Sequence, residues 1–435
     1  MPTFEKKLLD LSQLSVIITD DSKVTAKQLL EQSAALRSGC SELKSKSVAV
    51  VYTDTISFVT ALVAFDGFCG ALYLCSRDSI KSIPKDVCHW PINSKTDCSK
   101  STVTSQNDGL SLPIKTKWYL ASSGTSGMPK WFSHRFSDLI RQTRISATLQ
   151  NLCWGSLYEP HRFAGLQVTL QALLSGASLV VTEKTNVIDR VSVYAQQNVS
   201  AISATPSMWR QLLMTNQLHS LSLSHISLGG EIADQGIIDA LSHYFPIANI
   251  RHIYASTEAG VGFVVSDKKA GFPQSWLQEG VNGAELQVDG NQHLRIKPQG
   301  RLDKSLVNRI DENGFLDTED RVELVKGRVL FLGRASGIIN VGGNKVHPEK
   351  VESVLLSVEG VLQVRVYAKA NSVLGALVEA EITINPSLDW SVLVKKIRSQ
   401  CKLKLQRFEI PVKLRQVTRM EINSSGKLSR SNINV

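Results

Sequence analysis

One loop of this chain reads Ser122-Ser123-Gly124-Thr125-Ser126-Gly127-Met128-Pro129-Lys130 and directly follows an apolar segment, 118–121. The two glycines let backbone N–H groups turn toward an anion with no Cβ in the way. The hydroxyls add hydrogen-bond donors, and Lys130 adds positive charge. The composition of the loop therefore predicts a phosphate-binding site.

Two well-known phosphate motifs do not fit this loop. A Walker A loop needs Lys followed by Ser or Thr, but Trp131 follows Lys130. The dinucleotide-binding pattern needs G-x-G-x-x-G, whereas Gly124 and Gly127 supply only G-x-x-G. Taken alone, the loop could also be a Ser/Gly surface turn without a ligand.

Five further motifs follow the loop in order. They are Gly229-Gly230-Glu231, Tyr254-Ala255-Ser256-Thr257-Glu258, Gly314 to Asp320, the run from Gly333-Arg334 to Glu352, and Ser424-Ser425-Gly426-Lys427-Leu428-Ser429-Arg430. Together with the loop, this series resembles the adenylate-forming superfamily, which comprises acyl-CoA synthetases, aryl acid ligases, stand-alone adenylation domains and luciferases. The resemblance extends over essentially the whole chain. Ala255, Glu319 and Ser336 depart from the family pattern without removing a catalytic group.

The resemblance implies a two-step reaction. A carboxylate first attacks the α-phosphate of ATP, giving an acyl-adenylate and pyrophosphate, and a thiol then displaces AMP. Residues Ser122 to Lys130 would hold the β- and γ-phosphates. Thr257 would contact the α-phosphate, and Glu258 would bind Mg²⁺. Tyr254 would flank the adenine ring, which the backbone of Gly229 and Gly230 would approach closely, while the part played by Glu231 stays open.

Three more residues receive roles from the resemblance. Asp320 would accept hydrogen bonds from the ribose hydroxyls, and Arg334 would add a second ribose contact. Lys427 would be the catalytic lysine of the first step, because an ammonium can bridge the carboxylate and the α-phosphate. Ser336 would lie at a hinge. The plainer alternatives are a surface turn at Thr257-Glu258, a turn-stabilising Asp320 and an exposed Lys427.

Composition agrees with a water-soluble enzyme. The chain has 435 residues and 43% hydrophobic content, which is enough for two or three subdomains. No run approaches the roughly 18 apolar residues of a membrane span, and the N-terminal residues do not resemble a signal peptide. The seven cysteines have irregular spacing that predicts neither disulfides nor zinc. Reduced thiols and a cytoplasmic location are the expectation.

The formal net charge is +10, and most of the excess lies near the C-terminus. From Gly337 onward, 15 Lys/Arg oppose 8 Asp/Glu. These basic residues either form a solvated helix face or form a docking surface for an acidic partner, such as coenzyme A or an acyl carrier protein. Nucleic acid is not expected as a partner, because no aromatic-rich basic platform accompanies the charge.

The fold class expected is α/β. Alternating short apolar strands and helices predict βαβ units and a mostly parallel sheet up to residue 260. Lys130, Gly230 and Tyr254 each follow a predicted strand, so we expect them on one rim of the sheet. A small β-rich subdomain over 284–330 completes a large N-terminal domain, 1–334. A hinge then leads to a small, mobile α+β C-terminal domain, 335–435, that carries Lys427.

The sequence gives little information about the identity of the acid substrate. No Asp occurs in Pro160–Gly165, where amino-acid-activating domains hold an α-ammonium group, so an aryl or short acyl acid is favoured. His161, Arg162 and Phe163 are candidate pocket residues, although His161 and Arg162 could equally be structural. The expected acceptor is coenzyme A or a phosphopantetheinylated carrier protein, with a slight preference for the carrier. An adenylate former without thioester activity and a non-catalytic binding protein remain as alternatives.

Overall fold

The computed structural model describes residues 3–10, 16–91, 114–122, 129–299, 303–423 and 426–428. Both ends of the phosphate loop, Ser122 and Lys130, fall within these ranges. The predicted phosphate contacts Ser123, Gly124, Thr125, Ser126 and Gly127 lie outside them, as does the segment 92–113 of the predicted polar loop. No helix in the described ranges combines the length and the apolar character that crossing a bilayer requires.

Twelve helices and 23 strands are described, and they alternate through the first two thirds of the chain. Residues 3–135 contain α1 (Phe4–Leu9), β1 (Val16–Ile18), β2 (Lys23–Thr25), α2 (Ala26–Gly39), β3 (Ser47–Val51), α3 (Thr55–Phe65), β4 (Ala71–Cys75), β5 (Cys88–Trp90), β6 (Lys117–Ser122) and β7 (Lys130–Arg135). Residues 136–265 contain α4 (Phe136–Leu139), α5 (Ala147–Gln150), β8 (Cys153–Ser156), α6 (Phe163–Ser175), β9 (Ser178–Val180), α7 (Val187–Gln196), β10 (Ala201–Ala204), α8 (Pro206–Met214), β11 (His225–Gly229), α9 (Gln235–Tyr244), β12 (Asn249–Ser256) and β13 (Gly260–Val265).

The remaining elements form two smaller units. Residues 272–334 contain β14 (Phe272–Pro273), α10 (Trp276–Glu279), β15 (Glu285–Val288), β16 (His293–Lys297), β17 (Leu316–Val325) and β18 (Arg328–Arg334). Residues 339–416 contain β19 (Ile339–Val341), β20 (Asn344–Val346), α11 (Pro348–Leu356), β21 (Val361–Asn371), β22 (Gly375–Ile384), α12 (Trp390–Lys404) and β23 (Lys413–Gln416).

Two largely parallel sheets make up the first part of the chain. The larger has eight strands in the order β13-β12-β11-β10-β8-β9-β1-β2, with antiparallel strands at both edges. The smaller has five strands in the order β5-β3-β4-β6-β7, and only the β6–β7 pair is antiparallel. α3 and α6 are mostly buried and share one apolar core with strands of both sheets. Because both helices are apolar around most of their circumference, they must pack between layers rather than on the surface.

The other two sheets are mainly antiparallel. β14-β18-β17-β16-β15 follow the large sheet, and β20-β19-β22-β21, with β23 beside β22, come last and have their own apolar core. The predicted α/β fold, with a large N-terminal part and a smaller C-terminal part, is confirmed. The boundary between residues 334 and 335 stays a prediction.

The expected arrangement of strand ends needs correction. Gly230 does follow β11, but Lys130 is the first residue of β7 and Tyr254 lies inside β12. β7 and β12 also belong to different sheets. The reason is that β6 and β7 form a hairpin with Ser122 opposite Lys130, while β12 continues to Ser256 by pairing with β13. The predicted phosphate loop therefore joins two neighbouring strands that pair as a hairpin.

Candidate active site

Tyr254, Asp320 and Arg334 form one contact group beside an open cleft. The Tyr254 hydroxyl donates a hydrogen bond to Oδ2 of Asp320, and Nε of Arg334 donates to Oδ1 at 3.2 Å. Asp320 lies opposite Arg334 in the β17–β18 pair, which fixes this geometry. The Tyr254 ring runs nearly parallel to the rings of Phe263 and Phe331, with centroids 5.0 and 5.3 Å away. The three predicted nucleotide contacts are thus brought together.

The environment of Asp320 suits a carboxylate that binds hydroxyl groups. Burial raises its pKa, while the Arg334 guanidinium and the Tyr254 hydroxyl act in the opposite direction. Its side chain is 14% exposed and that of Arg334 is 51% exposed. A carboxylate has about four lone-pair positions, so two donors leave room for the two hydroxyls of a ribose.

Thr257 and Glu258 lie in the turn between β12 and β13. The Thr257 carbonyl is 2.8 Å from Nε2 of His134 on β7, so this contact joins the eight-stranded sheet to the five-stranded sheet that contains β7. Glu258 makes no hydrogen bond or ion pair with the described residues and lines the cleft together with Arg334. An unpaired carboxylate in a cleft beside the predicted nucleotide contacts fits Mg²⁺, which commonly takes one or two carboxylates together with substrate phosphates. Such an ion would neutralise charge on the phosphoryl oxygens.

A second acidic group is a weaker candidate for a metal. Asp289, His293 and Asp317 lie close enough together to share an ion. However, the Arg295 guanidinium already contacts Oδ2 of Asp289 at 2.9 Å and Oδ2 of Asp317 at 3.8 Å. A guanidinium neutralises these carboxylates, so the group is better explained as an ion-pair network.

Lys427 projects into the same region from the C-terminal end of the chain. Gly230 has φ of +79°, and a Cβ added there would lie 3.4 Å from Cε of Lys427. A glycine therefore provides both the backbone conformation and the space for the lysine stem. The carboxylates of Glu231, Glu258 and Asp320 and the guanidinium of Arg334 all act on the ammonium. The predicted catalytic lysine is thus placed among the predicted nucleotide contacts.

Burial lowers the pKa of Lys427, and the nearby carboxylates oppose that effect only in part. The ammonium form is the one that can bridge two anions. We therefore expect the rate of adenylate formation to fall as pH rises through this lowered pKa, that is, below the ordinary lysine value of 10.5. A pH profile of pyrophosphate release tests this. In Lys427→Arg, whose side chain stays charged, the same alkaline decline should be absent; a decline that persists would assign it to another group.

A second cleft, with about 490 Å³ of open volume, adjoins the first and shares Glu258 and Val261 with it. Phe163, Gln167 and His134 line it. Burial lowers the pKa of His134, so the ring is neutral near pH 7. Two rings, those of Phe163 and neutral His134, thus line the cleft beside the paired side chains of Asp138 and Arg141 and the carboxylate of Glu258. This lining offers ring surface for a small acid.

The three predicted pocket residues do not share one location. Phe163 lines the second cleft. The His161 ring lies instead 5.6 Å from that of Tyr52, and burial lowers its pKa to about 3. Nε of Arg162 pairs with Glu159 at 3.2 Å. Only Phe163 therefore faces the cleft.

The predicted hinge residue Ser336 lies in a single 3₁₀ turn, Ala335–Gly337, between β18 and β19. Just before it, Gly333 has φ of +120°, and a Cβ there would lie 2.2 Å from Oε2 of Glu349. Farther along, Nη1 of Arg321 lies 3.0 Å from Nε2 of His347. Contacts from β17 and β18 to the start of α11 thus flank the turn.

Several residues that line the clefts or contact the Lys427 segment carry no motif signal. His134 and Arg141 come from segments that the sequence reading did not single out. Gln167 could have been found, because it lies four residues after Phe163 on α6 and so shares its face. Thr205, at the start of α8, was missed because its contact is with Gly426, more than two hundred residues away.

Comparison with known proteins agrees with this site. The AMP-binding enzyme family matches residues 118–297, and the AMP-binding enzyme C-terminal domain matches residues 350–427. The chain belongs to the adenylate-forming superfamily and is an AMP-forming acid–thiol ligase.

Its relatives are distant but extend over most of the chain. The 2-succinylbenzoate–CoA ligase of Staphylococcus epidermidis is 22% identical over 72% of this chain and 68% of that protein. The Bacillus subtilis 2-succinylbenzoate–CoA ligase is 25% identical over 73% of this chain and 68% of that protein. The anthranilate CoA ligase AuaEII, solved with anthranoyl-AMP, has a TM-score of 0.79 at 15% identity and covers 98% of this chain and 96% of its own.

Proposed function

We propose that this enzyme joins a small aromatic carboxylic acid to the thiol of coenzyme A through an acyl-adenylate. The observation that carries the proposal is the position of Lys427 beside Gly230 and among the charges of Asp320, Arg334 and Glu258, with the second cleft, which Glu258 lines, alongside. Asp320 and Arg334 would hold the ribose, and Thr257 would contact the α-phosphate. The Lys427 ammonium would stabilise the negative charge that gathers as the carboxylate meets the α-phosphate.

The aromatic acid follows from the cleft and from the relatives. Phe163 and neutral His134 offer ring surfaces, with centroids 6.0 Å apart, and Asp138, the Asp among the described residues that line the cleft, is already paired with Arg141. Relatives named for 2-succinylbenzoate support the same substrate class. We further propose that residues 335–435 move as a domain about the turn containing Ser336. A cytoplasmic location is proposed as well, and six free cysteines among the described residues support it.

A carrier protein is the second candidate for the acceptor. Six basic side chains on or just after α12 are exposed and have no acidic partner among the described residues: Lys395, Lys396, Arg398, Lys402, Lys404 and Arg407. An acidic carrier could dock there, although the same charge could attract the phosphates of coenzyme A.

Pyrophosphate release with ATP, Mg²⁺ and a panel of aryl, amino and fatty acids tests the first step. We expect aryl acids to give values of kcat/KM at least about tenfold above those of amino acids, because Asp138 is paired with Arg141 and Glu258 is assigned to Mg²⁺, so neither is free to hold an α-ammonium group. Coenzyme A and a phosphopantetheinylated carrier are then compared as acceptors. If none of the acids supported pyrophosphate release, the proposal would be refuted. If only fatty acids supported it, the aromatic substrate class would be refuted.

A further inference from the structure

The segment that carries Lys427 is docked on the first turn of α8. Within this segment, defined here as the lysine hairpin (residues 420–423 and 426–428), the Asn423 N–H donates to the Lys427 carbonyl at 2.8 Å. The Lys427 N–H donates in turn to Oδ1 of Asn423 at 3.1 Å. The hairpin is therefore a small folded unit, and its position fixes the position of Lys427.

Two side chains join the hairpin to the rest of the enzyme at this point. The Thr205 hydroxyl, at the N-cap of α8, donates to the Gly426 carbonyl. The Glu231 carboxylate accepts from two backbone groups, with Oε1 taking the Leu428 N–H at 3.1 Å and Oε2 taking the Ser207 N–H at 2.9 Å. One carboxylate thus links the residue after Lys427 to the first turn of α8.

Packing around these bonds is close. Gly426 is buried with φ of +78°, and a Cβ there would lie 2.8 Å from Sδ of Met208. Farther along, Nε2 of Gln211 on α8 donates to the Met420 carbonyl at 3.3 Å. Glu231 is also the carboxylate with the largest effect on the Lys427 ammonium. Residues of α8 and Glu231 therefore contact the backbone of the lysine hairpin, and Glu231 also acts on the charge of Lys427.

We propose that Glu231 is a positioning residue, which holds the lysine hairpin in place for adenylate formation. This rests on the proposed function of Lys427. Glu231 acts through the hairpin backbone, and its two bonded oxygens face protein N–H groups. Breaking its bond to Leu428 removes one of the contacts that hold the hairpin on α8. The thiol step, which does not need Lys427, is then independent of Glu231.

Glu231→Gln is the informative substitution. An amide has only one acceptor oxygen, so its NH₂ group must face one of the two N–H donors, and one bond is lost. We expect kcat for pyrophosphate release to fall about tenfold to hundredfold, with KM for ATP within about twofold. Thioester formation from a preformed acyl-adenylate should keep its wild-type rate. Glu421→Gln, an exposed carboxylate of the same segment, is the matched control and should leave both steps unchanged.

A double-mutant cycle separates positioning from general damage. If Glu231 acts through Lys427, Glu231→Gln should cost nothing further in a Lys427→Ala background. Gly426→Ala disturbs the same contact from the hairpin side and should reproduce the selective loss. An equal loss in both half-reactions, or full additivity with Lys427→Ala, would overturn the proposal.

Hydrogen exchange tests docking without any substrate. Peptides that contain Leu428 should exchange faster in Glu231→Ala than in wild type and Glu421→Gln, because alanine removes both carboxylate oxygens and the Leu428 N–H loses its acceptor. Unchanged exchange would refute the docking role. If the wild-type enzyme activates no acid, the proposed function fails, while the exchange comparison still decides whether Glu231 holds the hairpin.

Discussion

Replacing Lys427 with alanine is expected to lower the rate of adenylate formation by about 10²- to 10³-fold, the effect typical of losing one preorganised donor to a developing charge. The structure supports a selective effect, since the ammonium lies among the charges of Glu231, Glu258 and Asp320. Burial lowers the pKa of this lysine, so the charged group is held there against a desolvation cost. Its removal should therefore leave thermal stability unchanged or slightly raised.

Two half-reactions and one control make this prediction specific. Pyrophosphate release measures the first step, and thioester formation from a preformed acyl-adenylate measures the second. Only the first should respond. Lys413→Ala removes an exposed lysine of the same C-terminal region and should behave as wild type. If Lys427→Ala slowed both steps equally, Lys427 would be a structural residue and the assignment would be lost.

The local features of the site could be predicted because each is encoded within a short segment. The hairpin β17–β18 places Asp320 opposite Arg334, and both belong to motifs that are readable in the sequence. Glu319 shows how a departure from a motif can be understood. The family usually has glycine at this position, and Glu319 indeed adopts φ of +62°, which glycine adopts without strain. The substitution keeps the backbone shape at a modest conformational cost.

Contacts between distant segments could not be predicted, because they depend on how the sheets and helices pack. His134 reaches the Thr257 carbonyl from a different sheet. Glu231 was recognised as part of a motif, yet its bond to Leu428 spans nearly two hundred residues. The three candidate pocket residues show a related limit of sequence reasoning. His161, Arg162 and Phe163 are neighbours in sequence, but successive residues at the start of a helix point in different directions, so only one faces the cleft.

Asp320→Asn is expected to raise KM for ATP by about 10- to 100-fold, because hydrogen bonds from the ribose hydroxyls to a charged acceptor become bonds to a neutral amide. KM for the acid should stay within about twofold, since the proposed acid site is the other cleft. The substitution also weakens the pairing with Arg334 and the bond from Tyr254, so a small loss of thermal stability is expected.

The ribose assignment can be separated from that stability effect by changing the nucleotide. In wild type, 2′-deoxy-ATP and 3′-deoxy-ATP should each bind more weakly than ATP, because a donor to Asp320 is missing. In Asp320→Asn the three nucleotides should become nearly equivalent. Asp317→Asn, three residues earlier on β17 and paired with Arg295, is the matched control and should discriminate among them as wild type does. If the Asp320→Asn variant still discriminated among the nucleotides as wild type does, the Asp320 carboxylate would stabilise the turn and would not bind the ribose. Arg334 would then become the main ribose contact.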